Sequence, residues 1–422
     1  MYRLIFSSLL VIIWILPLYA QDPSGRDQVI SYYSSALGED AVCRVYLPPG
    51  YDAADTGKSY PVIYLLHGAG AGFEMFDYLL PVINTFWATA YIQPCILVMP
   101  DGTREPYKGS FYTNSSLYGN FEDVIYQDLI PFIDANYNTL AQKSFRGLWG
   151  FSMGAYGALK QAFKHQEYYV AVAAHSGPVN FDFLDNLIPD IKEEQGGQPP
   201  FDWKYEPGRT VTGLMISMAG AFSPNPESEN LVDFPLDEQG NIIPEVMSRW
   251  KPHNIADLVT SLPENFDMDI YFDCGQIDEF KLIHHNRSLS DTLGKYGINH
   301  RFEEYFGDHT SGLIFRLPVA VKFLDNAFKS VINNSGAIPL ESEDQLQTYP
   351  NPASGEFRVR WQSIDESGAE LQIIDVMGRV LFSRMIVSGE TIEIESGSYS
   401  PGIYFVSIIK AREKLISRLV IK

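Results

Sequence analysis

The sequence predicts an α/β protein built on a doubly wound, mostly parallel sheet, followed by a small all-β sandwich. Three observations carry this. Between Gln21 and about Asn333 short apolar runs alternate with helix-like stretches, and a Gly-x-Ser-x-Gly turn joins one such run to the helix after it. Near residue 335 the composition shifts to short strands that alternate apolar and polar residues. Alternating strands and helices argue for a parallel sheet covered on both faces, whereas even-spaced alternating strands argue for a sandwich. The chain has 422 residues, enough for more than one domain of about 100–200.

Taken in order, the chain opens with Arg3, an apolar run from Leu4 to Leu16, and Leu18-Tyr19-Ala20. This is the pattern of a secretory signal peptide over 1–20, too short for a membrane span. The expected buried strands are Tyr60–Leu66, Ile96–Met99, Phe145–Trp149, Val170–Ala174 and Met268–Asp273, with a further strand-like run at His300–Tyr305. Helices are expected at Glu122–Tyr137, Met153–Lys164, Phe280–Tyr296 and Gly312–Phe328. The stretch 178–263 is richer in Pro, Gly and acidic residues than a bare sheet requires, and reads as an insertion or cap over the site. Residues 333–347 are polar and read as a linker. From 348 to 422 six short runs, Phe357–Trp361, Glu370–Val376, Val380–Met385, Thr391–Ile394, Ile403–Ile409 and Leu415–Ile421, form the sandwich pattern.

Charge and cysteine usage exclude several functions. With 31 Lys+Arg against 52 Asp+Glu the net charge is −21, which repels phosphate backbones and anionic lipid, so nucleic acid is not an expected partner. From Gln345 to Lys422 nine basic residues balance nine acidic ones, so the charge belongs to the first domain. Cys43, Cys95 and Cys274 allow at most one disulfide, and the apolar runs around Cys95 and Cys274 suit small buried residues. No metal-ligand spacing is present, and His284-His285 point in different directions on a helix. No cofactor is expected.

The chemistry concentrates at Gly150-Phe151-Ser152-Met153-Gly154. A strand-to-helix turn of this kind exposes the serine hydroxyl, and the helix start aims the Met153 N–H at a developing oxyanion. Such a serine needs a histidine and a carboxylate, in the chain order Ser, acid, His. His309, in the Gly-bounded loop Gly307 to Gly312 after His300–Tyr305, is the expected base. Asp278, after the Met268–Asp273 strand, is the expected acid, with Asp182 and Asp185 as the rival location. Glu279 reads as a helix N-terminal residue and Asp308 as a loop residue. A second oxyanion donor is expected from the glycine-rich loop Leu65 to Gly72, which completes no phosphate-binding motif.

Tyr64-Leu65-Leu66-His67-Gly68, Met99-Pro100-Asp101-Gly102, the Ser152 turn, Asp273-Cys274-Gly275 with Asp278, and Gly307-Asp308-His309 together resemble the esterase family of α/β-hydrolases. That family includes esterase D, feruloyl and acetyl-xylan esterases, enterochelin esterases and mycolyltransferases. The resemblance implies Ser152 as nucleophile, Asp278 as acid, His309 as base, and the backbone N–H groups of Ala69 and Met153 as the oxyanion hole. A second resemblance covers the last seventy or so residues. Tyr349-Pro350-Asn351-Pro352-Ala353, Ile374 to Val380 and Pro401 to Val406 are similar to the C-terminal sorting domain of the type IX secretion system. It implies the outer-membrane secretion machinery as a partner and a secreted or cell-surface location reached through the periplasm.

The expected activity is therefore that of a secreted serine esterase acting on acetyl or feruloyl esters of plant-type polysaccharides. Phe111, Tyr112, Trp203 and Trp250 are either stacking surfaces for such a substrate or core. A siderophore esterase or an acyltransferase of the same fold, and a catalytically silent surface-binding protein, are the alternatives.

Overall fold

The structure, a computed structural model, describes residues 25–334, 345–362, 368–376, 379–410 and 413–422. The expected signal peptide and residues 335–344 of the expected linker lie outside them.

Eight strands form the main sheet: β1 (Arg26–Ser34), β2 (Glu39–Leu47), β3 (Val62–Leu66), β4 (Ile96–Pro100), β5 (Arg146–Phe151), β6 (Ala171–His175), β7 (Asp269–Gly275) and β8 (Arg301–Tyr305). Their spatial order is β1-β2-β4-β3-β5-β6-β7-β8. The pairs β1/β2 and β2/β4 are antiparallel, and every pair from β4 to β8 is parallel. β3, β4, β5 and β6 are buried at every residue, as continuous apolar strands covered on both faces must be.

One face of the sheet is covered by α1 (Leu80–Ala88) and the C-terminal helix 313–334. The other carries the helical segment 121–136 and the helix Met153–Lys164. The strand order reverses beside β3, so the crevice lies at the carboxyl ends of β3 and β5. There Leu66 pairs with Gly150, setting the loop after β3 beside the turn after β5.

The expected strands of the first domain are all present. Differences lie at the edges. The hairpin of β1 and β2 has no counterpart among the expected elements, because β1 is largely exposed and carries no continuous apolar run. The expected helix over Glu122–Tyr137 contains a π turn at Val124–Leu129. The helix expected from Phe280 begins at Leu282, and that expected to end at Phe328 runs to Asn334. Residues 178–263 contain four further α-helices, Ile188–Glu194, Thr210–Phe222, Pro244–Trp250 and Ile255–Leu258.

The C-terminal residues form two antiparallel sheets, one of Gln345–Tyr349, Glu356–Gln362 and Thr391–Glu395, the other of Val380–Ile386, Ala369–Asp375, Gly402–Lys410 and Glu413–Ile421. Phe357, Trp361, Leu371, Val406 and Leu419 fill the space between them. Alternation along Gly402–Lys410 turns Phe405 the other way, where its ring lies 4.8 Å from Tyr91 and 5.5 Å from Phe86 of the first domain. The three cysteines are free and buried. Among the described residues no helix is long and apolar enough to cross a membrane.

Candidate active site

Ser152 sits between β5 and the helix Met153–Lys164 with φ 55° and ψ −118°, a backbone conformation that non-glycine residues rarely adopt. The neighbouring glycines are required by close approach. A Cβ at Gly150 would stand 2.0 Å from the Gly154 carbonyl oxygen, and one at Gly154 would stand 1.9 Å from that of Leu66. The Ser152 N–H donates to the His175 carbonyl at 2.9 Å, tying the turn to the end of β6.

The structure brings Ser152, His309 and Asp278 together. The Ser152 hydroxyl lies 2.9 Å from His309 Nε2, and Asp278 Oδ2 accepts from His309 Nδ1 at 2.8 Å. Asp278 Oδ1 accepts the Phe280 N–H at 2.9 Å, and the Cys274 thiol makes a long contact of 3.8 Å with Oδ2. Burial pushes that thiol well above its ordinary pKa, so it stays protonated beside the carboxylate. With a carboxylate on Nδ1, the neutral imidazole presents Nε2 as an acceptor to the serine.

The rival carboxylates are elsewhere: Asp182 and Asp185 line a different cleft, with Ile188 and Met247. Asp308 accepts the N–H groups of Thr310 and Ser311, turning the loop. Glu279 does not start the helix; its Oε2 accepts the His309 N–H at 3.0 Å. No sequence signal pointed to that contact, which depends on two loops meeting.

Loop 67–72 lies against the serine turn. His67 Nε2 accepts the Gly102 N–H at 2.8 Å, so its Nδ1 carries the proton and donates to the Gly68 carbonyl at 2.9 Å. The Gly70 N–H donates to the Lys108 carbonyl at 2.8 Å. Ala69 and Ser152 face a common cleft of about 570 Å³, lined also by Met75, Tyr107, Phe280 and His309. Tyr205, Gly213, Leu214 and Ser217 from the 178–263 stretch close its far side. Phe111, Tyr112, Trp203 and Trp250 are buried core residues and do not line the cleft, which is surfaced by aromatics the sequence did not single out. Among the described residues no group of three His, Cys, Asp or Glu side chains could hold a metal ion.

A second polar cluster lies behind this one. Asp273 ends in a buried carboxylate that meets His175, Tyr271 and Arg316. Burial alone would raise its pKa, but His175 and Arg316 outweigh that and hold it below the usual carboxylate range.

Strand order, the crossing at β3 and the strained serine turn define the class, an α/β-hydrolase fold. The chain belongs to the family whose model is described as "Putative esterase", matched over residues 34–321. Residues 347–422 match the secretion system C-terminal sorting domain. Esterase Rv1288 of Mycobacterium tuberculosis is 38% identical over 168 residues, 38% of this chain and 34% of that protein. The endo-1,4-beta-xylanase/feruloyl esterase of Xylanibacter ruminicola is 34% identical over 139 residues, 31% of this chain and 18% of that protein. The chain therefore spans about a third or less of the length of these relatives. Among solved structures, a ferulic acid esterase superposes with a TM-score of 0.52 at 17% identity, covering 72% of this chain and 99% of that one.

Proposed function

We propose that this chain is an exported serine carboxylic-ester hydrolase that works through an acyl-enzyme on Ser152 and removes feruloyl or acetyl groups from plant-type polysaccharides. The observation that carries the reading is the hydrogen-bond chain from Ser152 Oγ through His309 to Asp278, at 2.9 and 2.8 Å, opening on one cleft. In the first half-reaction His309 Nε2 accepts the serine proton as Oγ attacks the ester carbonyl carbon. Asp278 stays ionised and holds the imidazolium. Collapse of the tetrahedral intermediate expels the alcohol, which takes the proton from His309. Water, deprotonated by the same nitrogen, then attacks the acyl-serine; the serine oxygen leaves with that proton from His309, and the acid is released.

The oxyanion is assigned to the N–H groups of Met153 and Ala69. The first N–H groups of a helix have no intrahelical acceptor, and the Gly70 N–H is already engaged by Lys108. Loss of one such donor costs on the order of 10²–10³ in rate.

The feruloyl reading draws on the size and surface of the cleft. At about 570 Å³, with Tyr107, Phe151, Tyr205 and Phe280 along it, the cleft has room and aromatic surface for a cinnamoyl-type acyl group, of which an acetyl would use little. The matched sorting domain and the feruloyl esterase named among the relatives agree with an extracellular polysaccharide ester. Incubation with feruloylated arabinoxylan and acetylated xylan, with ferulate and acetate quantified separately, tests this. Ferulate release is expected; acetate release alone would overturn the feruloyl assignment, and release of neither would overturn the polysaccharide assignment.

A further inference from the structure

We propose that His175 and Tyr305 form one positioning unit for His309, carrying the fixed geometry of the buried Asp273 carboxylate to the loop that holds the base. The proposal rests on the reading of Ser152 and His309 as the reacting pair. Neither His175 nor Tyr305 lines the cleft, so both act through other residues.

His175 is the last residue of β6 and is 1% exposed. It is fixed at three points. Its carbonyl accepts the Ser152 N–H, its Nδ1 donates to Asp273 Oδ1, and its Nε2 meets the Tyr305 hydroxyl at 3.1 Å. Asp273 is itself held by Arg316 Nε at 2.8 Å and by the Tyr271 hydroxyl, and Arg316 also pairs with Glu303. Rotating the His175 ring would strip a partner from a buried carboxylate, which is costly.

Tyr305 stacks on His175, with ring centroids 5.6 Å apart and planes 14° apart, and Arg316 lies 5.5 Å over its ring. The far side of the phenol fills the space that a Cβ at Gly307 or Gly312 would need, 2.7 and 2.2 Å from its ring carbons. Those two glycines bound the loop that carries His309. The hydroxyl also reaches the Asp308 carbonyl at 3.5 Å.

A second route runs through Phe151, whose ring lies 5.6 Å from His175 and 4.9 Å from His309. Phe280 closes on the other side of His309 at 4.9 Å, edge to face. The imidazole is thus located by a stack that starts at Asp273, while its two hydrogen bonds set only its rotation. Catalysis needs Nε2 on the serine and Nδ1 on the acid at once, and a displacement near 1 Å can cost on the order of 10²-fold.

The test uses the full chain with 4-nitrophenyl acetate turnover, fluorophosphonate labelling and thermal midpoint measured together. Tyr305→Phe should lower kcat and the labelling rate about tenfold while KM stays within about twofold and the midpoint holds. Tyr305→Leu, which also removes the ring, should lose more. His175→Gln combined with Tyr305→Phe should be no worse than the poorer single variant, since both break one path. Unchanged kcat in Tyr305→Phe, or losses that simply follow the thermal midpoint, would overturn the proposal, even if His175→Gln fails to fold. Ser152→Ala run alongside separates the two readings: if it is inactive while Tyr305→Phe is fully active, only the positioning claim falls.

Discussion

Ser152 carries a backbone strain that a buried, hydrogen-bonded surround sustains. The N–H of the residue is spent on His175 and its carbonyl accepts the Tyr156 N–H at 3.0 Å, so the hydroxyl is the one group left to face the cleft. Asp278 is constrained as tightly, with one oxygen on the Phe280 amide and the other on His309. Asp278→Asn keeps the volume but lets an amide compete for the wrong imidazole tautomer. We expect kcat for 4-nitrophenyl acetate to fall on the order of 10³–10⁴-fold with little change in KM; a loss below tenfold would remove Asp278 from its role. These residues were legible because a strained serine turn leaves a glycine signature, and because chain order narrows the choice of acid and base. Glu279, His175 and Tyr305 were not legible. Their contacts arise only where three strand ends meet, and a carboxylate or phenol in a loop carries no local mark of that meeting.

The elements were readable in proportion to their burial. β3 to β6 are continuous apolar runs, whereas β1 exposes Val29 at 60% and Tyr33 at 67%, leaving no periodic signal strong enough to separate it from loop. The helix Leu282–Lys295 shows a further consequence of burial. It holds His285 inside, where burial pushes its pKa down to about 3, and the short turn before it in the chain, 251–253, holds His253, down to about 4 through burial and the nearby Lys160. Both lie below the ordinary value of 6.5. As pH falls below about 6.5, the unfolded chain takes up protons that the folded chain refuses, so stability is full above that pH and declines toward pH 4. Thermal midpoints should be level near neutrality and fall steadily through this window, less steeply in His285→Gln. A midpoint that rises on acidification would contradict the burial of these rings as neutral species.

At the scale of the molecule, charge and composition separate two tasks. The sorting module is balanced in charge and packs Phe405 on Phe86 and Tyr91, while the excess acidity lies on the esterase domain. The cleft draws one wall from the sheet loops, which carry Ser152 and His309, and another from residues 205–217 of the 178–263 stretch. Sequence composition marked that stretch as extra to the sheet, but not which of its side chains turn inward. Removing Tyr349 to Lys422 should leave esterase activity in the periplasmic fraction and abolish its appearance outside the cell. Unaltered export of the truncated chain would contradict the role given to the sorting domain.

In the proposed mechanism one hydroxyl, activated by one imidazole, takes up the acyl group. Intact-mass analysis and peptide mapping of the full chain after exposure to a fluorophosphonate test it most directly. A single adduct on Ser152, lost in His309→Ala, is expected. An adduct on another residue, or none on a chain that still turns over nitrophenyl acetate, would contradict the account.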